Sequence, residues 1–321
     1  MLRKKVILPL DVNPQFRSYQ HDAYALGIMN TYKNFSKEWL INNFLLLKVR
    51  ERQVFYAIPS VIALWNCFKT NIICTISYNI LDAIKMHLNK QEYIYIVVNE
   101  KYIPERNAYK KFDYNHCLLI YGYDDETKSF LTIGYNKYNK YIPQWIQYSD
   151  IEKAYIKHQR ALKVLLYREQ LCLVFGIKIN KKRNYRQINI HKVKKNLKKQ
   201  LLSGNKKVGL NVYQYIDKHM FPDKKTNMLD LRLFRVLYEH KQIFCLLCNN
   251  IGNEELEYEA EQLYDYLKIT FYFAIKYNLS EKNDILEIIN KRLSIAKIKE
   301  SNLLSKILII LNENDQSGLP T

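Results

Sequence analysis

The sequence has no stretch approaching the roughly 18 consecutive apolar residues that a membrane helix needs, so no helical membrane span is expected. The early apolar run at residues 6–10 is too short for the hydrophobic segment of a secretory signal, which makes the cytoplasm the expected location. Cysteine is thin. Cys67, Cys74, Cys117, Cys172, Cys245 and Cys248 lack the density and spacing of a disulfide framework, so reduced thiols are expected. Cys245 and Cys248 form a lone Cys-x-x-Cys in a helical pattern with no second pair, which reads as packing in preference to a zinc or redox site. No cofactor and no metal is implied. Glycine is scarce as well: there are 8 in 321 residues, where ordinary usage of about 7% gives about 22. That scarcity, with the abundance of Lys, Asn, Ile and Tyr, is the codon signature of an AT-rich genome, and it accounts for part of the charge. Acidic residues number 31 against 50 Lys and Arg, for a net charge of +19. Acidic protein surfaces rank ahead of nucleic acid as partners, because the 27 tyrosines fall in apolar patterns and are not interleaved with basic residues as a base-stacking platform requires.

What is present is enough apolar material for a folded core, 48% of the chain. Residues 22–32 read as helix, and Trp39, Leu40, Phe44 and Leu45 fall at helical spacing in the next segment. Pro59-Ser60 opens a further short helix, because Ser is a good N-cap. Residues 71–76 read as a strand leading into a helix at 78–88 with Ile80, Leu81, Ile84 and Leu88 on one face. Residues 93–98 are a strand rich in β-branched and aromatic side chains. A strand at 116–121 pairs with one at 130–135 across an Asp124-Asp125-Glu126-Thr127 turn, and the runs at 163–167 and 170–177 can extend the sheet. From 178 to 199 the composition turns to Lys, Arg and Asn, and beyond it the pattern is helical throughout. The last helix is expected after Ser301, with a polar, disordered tail at 312–321.

Several segments together resemble a known family. They are the helix after Tyr19-Gln20-His21, the strand at 93–98, the block His116-Cys117-Leu118-Leu119-Ile120-Tyr121-Gly122-Tyr123-Asp124, and the later Ile151-Glu152-Lys153-Ala154-Tyr155. In this order they are similar to the amino-terminal domain of the butirosin biosynthesis protein H family, itself similar to papain-like peptidases that cleave bacteriocin leader peptides. Asp230-Leu231-Arg232 and Glu239-His240-Lys241 resemble the Arg and Glu-His-Lys positions of the helical region that follows in related proteins of peptide-antibiotic clusters. The resemblance implies an α+β protein with a papain-like cysteine-peptidase-type domain over residues 1–177 and an all-α domain over 178–311. It also implies transfer of an acyl group from a carrier-protein thioester to an amine.

Papain-like acyl transfer needs a thiolate at a helix N-terminus, a histidine to pass the proton, and a side-chain oxygen to orient that histidine. His116 fits the histidine. The helix start holds Tyr19, Gln20, His21 and Asp22 with no cysteine, leaving Ser18 and His21 as the nearby candidates. Asn136, after Gly134-Tyr135, is the candidate to orient the imidazole. Cys117 is adjacent to His116 on a strand, so the two side chains point to opposite faces and form no dyad. Arg232 and Glu239 stand two turns apart on one helix face, either as a salt-bridged contact or as a docking surface. Three readings follow. The first is a diverged, non-covalent binder of an acyl or peptidyl carrier protein, or of its acylated product, in antibiotic or other natural-product biosynthesis. The second is an acyltransferase using His116 as base directly on the amine. The third, resting on charge alone, is a nucleic-acid-binding protein.

Overall fold

The computed structural model describes residues 3–32, 37–50, 53–56, 67–73, 79–164, 174–180, 187–221 and 227–316. It is a mixed α+β chain with an antiparallel sheet and a C-terminal helical region. The chain separates into two compact units, Met1–Lys33 with Val61–Arg183, and Asn34–Ser60 with Asn184–Thr321. The division departs from the linear split expected at residues 177 and 178. Residues 34–60 belong with the C-terminal helices because their apolar side chains, among them Trp39, Ile41, Phe44 and Val54, are buried there and not on the sheet.

In the first unit the strands are β1 (Lys5–Ile7), β4 (Phe68–Ile73), β5 (Tyr93–Asn99), β6 (Asn115–Asp124), β7 (Ser129–Tyr135), β8 (Tyr141–Gln147) and β9 (Val174–Ile179). They form one antiparallel sheet in the order β4-β9-β5-β6-β7-β8, with β1 added along β6. The centre of the sheet is built from the apolar runs of β5 and β6, paired from Ile94 with Ile120 to Asn99 with Asn115. The expected hairpin is present. Asp124 closes it by accepting the Glu126 amide at 3.0 Å and, as a carboxylate, pairing with Lys5 of β1 at 2.8 Å. Gly122 lets β1 approach, since a Cβ there would lie 2.8 Å from the Val6 carbonyl oxygen. The β6–β7 register shifts beside it, between Ile120 and Gly122, so Tyr121 is bulged.

Helix α1 (Gln20–Met29) begins slightly earlier than expected and is buried along nearly all of its length. The predicted amphipathic helix before β5 is α3 (Ile80–Asn89), capped by the Asn79 side chain on the Leu81 amide at 2.9 Å. Helix α4 (Tyr148–Val164) contains Lys163 and Val164, so the run expected as a strand at 163–167 starts in helix; its remainder lies outside the described residues. The expected helix at Pro59-Ser60, Cys74 and Cys172 also lie outside them.

The second unit holds α2 (Lys37–Phe44), the hairpin β2 (Leu47–Arg50) with β3 (Gln53–Tyr56), and helices α5 (Ile190–Leu202), α6 (Asn211–His219), α7 (Leu231–Ile251), α8 (Glu254–Ser280) and α9 (Asn283–Gln316). Asp230 caps α7 through the Arg232 amide, and Gly252, in the left-handed region at φ 74°, ends it. Helix α8 buries Leu256, Ala260, Leu263, Leu267, Thr270, Ala274 and Tyr277, a stripe stepping by four and three residues, which suits packing between α7 and α9. Each large apolar side chain so buried is worth about 1.5–3 kcal/mol. Helix α9 is far longer than expected. It starts before residue 301 and continues through Gln316, so the tail expected to be disordered from 312 is helical over its first five residues.

Candidate functional site

The site predicted around His116 lies at the point where β6 begins beside the start of α1. Antiparallel pairing of Asn99 with Asn115 returns the chain so that Glu100, first residue of a 3-10 turn at Glu100–Tyr102, stands next to His116. Its carboxylate Oε1 lies 3.2 Å from His116 Nδ1. A carboxylate only accepts, so the neutral imidazole carries its proton on Nδ1 and presents the Nε2 lone pair. The His116 side chain is 34% exposed, whereas that of Glu100 is 11% exposed. The ring also leans on Tyr114, with centroids 5.2 Å apart. Glu100 thus performs the orienting role expected of Asn136. Asn136 instead closes the β7–β8 turn, its Oδ1 accepting the amides of Tyr138 at 2.9 Å and Lys140 at 3.0 Å. A short polar side chain after a strand satisfies turn amides more readily than it reaches across the sheet.

Gln20, the first residue of α1, joins the helix start to two strands. Its Nε2 donates to the Cys117 carbonyl at 2.7 Å and stands 3.4 Å from His116 Nδ1, while its Oε1 accepts the Tyr135 amide at 3.1 Å. The cap residue of α1, Tyr19, supplies no side-chain cap bond. His21 follows Gln20 into the helix, stacks on Tyr19, and sets Nε2 3.5 Å from Asp22 Oδ1. Ser18 is buried two residues before the helix. Among the described residues the polar side chains within reach of the His116 ring are Glu100, which accepts the Nδ1 proton, and Gln20, whose Nε2 only donates and so makes no bond to that nitrogen; neither Ser18 nor His21 is brought onto the ring.

Cys117 is no substitute nucleophile. Burial pushes its thiol pKa up, with a hydrogen bond to Tyr95 pulling less strongly the other way. Burial likewise raises the phenols of Tyr24 and Tyr141, which line the same polar interior. Arg106 completes the cluster from the irregular segment after the 3-10 turn. It is 2% exposed, and its Nη1 donates to the Tyr135 carbonyl at 2.5 Å.

The Glu-His-Lys triplet is not a docking surface. Glu239, His240 and Lys241 are all buried inside the helical unit. Lys241 Nζ is ion-paired with Glu300 Oε2 and donates to His240 Nδ1 at 2.9 Å. Glu300 is completed by Tyr213 at 2.6 Å and Gln200 at 2.8 Å. Glu239 pairs with Arg235 at 2.8 Å, one turn away, and Arg232 folds back on Asp230 at 2.6 Å, so the expected two-turn Arg232–Glu239 contact is replaced by shorter ones. Burial holds His240 well below its ordinary 6.5, and the adjacent Lys241 charge adds to that. The Cys245 and Cys248 thiols are each pushed up to about 12, mainly by burial, in keeping with packing.

Gln20, Glu100 and Arg106 are the site residues that sequence reasoning missed. The β5–β6 register would have placed Glu100 beside His116; nothing in the sequence marked Arg106. Among the described residues no group of three His, Cys, Asp or Glu side chains is placed to hold a metal ion, and no helix is long and apolar enough to cross a membrane. Comparison of the sequence with protein-family models and with curated proteins returns no match.

Proposed function

We propose that the chain is a diverged papain-like protein of an antibiotic or other natural-product biosynthesis cluster, binding an acyl- or peptidyl-carrier-linked intermediate at the α1–β6 site. One observation carries this reading: a histidine held by a buried carboxylate at the start of β6 faces a helix start that offers Gln20 where papain-like acyl transfer places a thiol. The strand order of motifs and the net charge of +19 support it, since an acidic carrier protein is steered by a basic partner. The test is the affinity of an acylated carrier protein for the full chain. Binding should weaken about tenfold or more as salt screens the surface charges, and His116→Ala should weaken it further. Affinity indifferent to both would remove the proposal, and preferential capture of DNA or RNA would favour the nucleic-acid reading instead.

The Glu100–His116 pair favours a second reading, direct acyl transfer. The thioester is already activated. The amine attacks the thioester carbonyl while His116 Nε2 takes its proton; the C–S bond breaks, and the carrier thiolate recovers that proton as it leaves. His116→Ala then abolishes amide formation while circular dichroism shows the fold intact, and Glu100→Gln lowers the rate. Undiminished turnover in His116→Ala would dispose of this mechanism.

A further inference from the structure

The Arg106 guanidinium is buried with only one of its nitrogens engaged. Nη1 is held by the Tyr135 carbonyl, while Nε and Nη2 are buried without a hydrogen-bond partner. Those two nitrogens form one edge of the guanidinium, the two-pronged fork that matches both oxygens of a carboxylate. Among the described residues no carboxylate is ion-paired with Arg106: Glu100 is committed to His116, and Asp22 stands beside His21. The remaining acidic groups in the cluster are kept neutral. Burial raises the phenols of Tyr24 and Tyr141 and the thiol of Cys117, so none supplies a negative charge at neutral pH. A guanidinium does not escape its cost by losing a proton, and a buried charge without a partner is unfavourable by several kcal/mol.

The guanidinium packs directly on the backbone at Gly134, where a Cβ would meet Arg106 Nη1 at 2.4 Å, Arg106 Nη2 at 2.8 Å and Gln20 Oε1 at 2.9 Å, so a glycine is what lets the unmatched fork lie against the first residue of α1. The amino end of α1, ten residues long and with no side-chain cap bond, adds positive potential there. We infer that the Nε–Nη2 edge of Arg106 is a subsite for the carboxylate group of a small ligand, beside the Glu100–His116 pair. It goes beyond the carrier reading and does not depend on it, since free small carboxylates suffice to probe it.

The experiment is thermal unfolding of the full chain in formate or acetate against chloride at matched ionic strength, with calorimetric titration of formate into the folded protein. Carboxylate should raise the melting temperature of the wild type saturably, since a ligand of the native state stabilises by mass action. Arg106→Lys, which keeps the charge and loses the fork, should weaken apparent formate affinity about tenfold or more, and Arg106→Gln should abolish the shift. Equal melting temperatures in carboxylate and chloride, or a shift that persists in Arg106→Gln, overturns the subsite. A larger shift with inorganic phosphate than with either carboxylate overturns the ligand class. Should Arg106→Gln not fold, the calorimetric comparison of wild type with Arg106→Lys decides alone: equal affinities sink the inference.

Discussion

Both units bury charged groups, and they do so in opposite ways. In the helical unit Glu300 occupies a core position of α9 but has Lys241, Tyr213 and Gln200 on its oxygens, and Gln200 is itself held by the Leu47 amide at 3.1 Å. In the sheet unit Arg106 is buried with two nitrogens unmatched, and His116 keeps one ring nitrogen for solvent. A closed network specifies which helices pack and in what register; an incomplete one leaves buried polar groups at a cost that a bound partner would relieve. The difference separates a structural polar core from a candidate site, although the sequence marks both with the same residue types.

The sharpest way to break this contrast is to open the closed network. Lys241→Met leaves Glu300 buried without its cation and should cost about 3–5 kcal/mol in chemical denaturation. The double variant Lys241→Met, Glu300→Leu should recover most of that. A double variant no more stable than the single one would show that the network is not a matched set.

The next effect is on pH dependence. His240 is held below its ordinary 6.5 by burial first and by Lys241 second, so it stays neutral when folded and takes up a proton when unfolded. The unfolded state therefore binds more protons below pH 6.5, and stability should fall on acidification with a slope approaching about 1.4 kcal/mol per pH unit. In His240→Gln that portion of the slope should vanish; an unchanged profile between pH 7 and 5 would rule the assignment out.

In the sheet unit Gln20→Ala strips hydrogen bonds from the Cys117 carbonyl and the Tyr135 amide and should cost about 1–3 kcal/mol, read from the denaturation midpoint. His116→Ala should have the smallest effect on stability, about 1 kcal/mol or less, because its ring is one-third exposed. Its effect on ligand binding or turnover should be the larger. If instead His116→Ala unfolds the sheet unit, the histidine is structural and the contrast with the helical core disappears.

Much of the architecture was legible because it is local. β-Branched and aromatic side chains announced β5, the Asp124-Asp125-Glu126-Thr127 turn announced the hairpin of β6 and β7, and apolar residues at helical spacing announced α3. The extent of α9 was not, because Glu300 interrupts its apolar stripe and only a partner from another helix makes a carboxylate acceptable there. Residues 34–60 read as a continuation of the first domain, since nothing in their own pattern says which core receives them. At the site His116 was legible as a strand-initial histidine, while its orienting group was sought at Asn136, just past the end of the next strand, and the 3-10 turn after the strand on the other side supplied Glu100.

By itself the sequence determined the element types, the antiparallel hairpin at β6 and β7, the position of His116 at a strand start and the absence of a cysteine from the start of α1. These depend on spacing and on residues within one turn or one strand of each other. Tertiary structure alone decided that Glu100 holds His116, that Arg106 is buried over Gly134 with its fork unmatched, and that the Glu-His-Lys triplet is core and not surface. The physical reason is that burial and partnership are properties of groups far apart in the chain: whether a charge is a cost, a clasp or a binding site depends on what strand register and helix packing bring beside it.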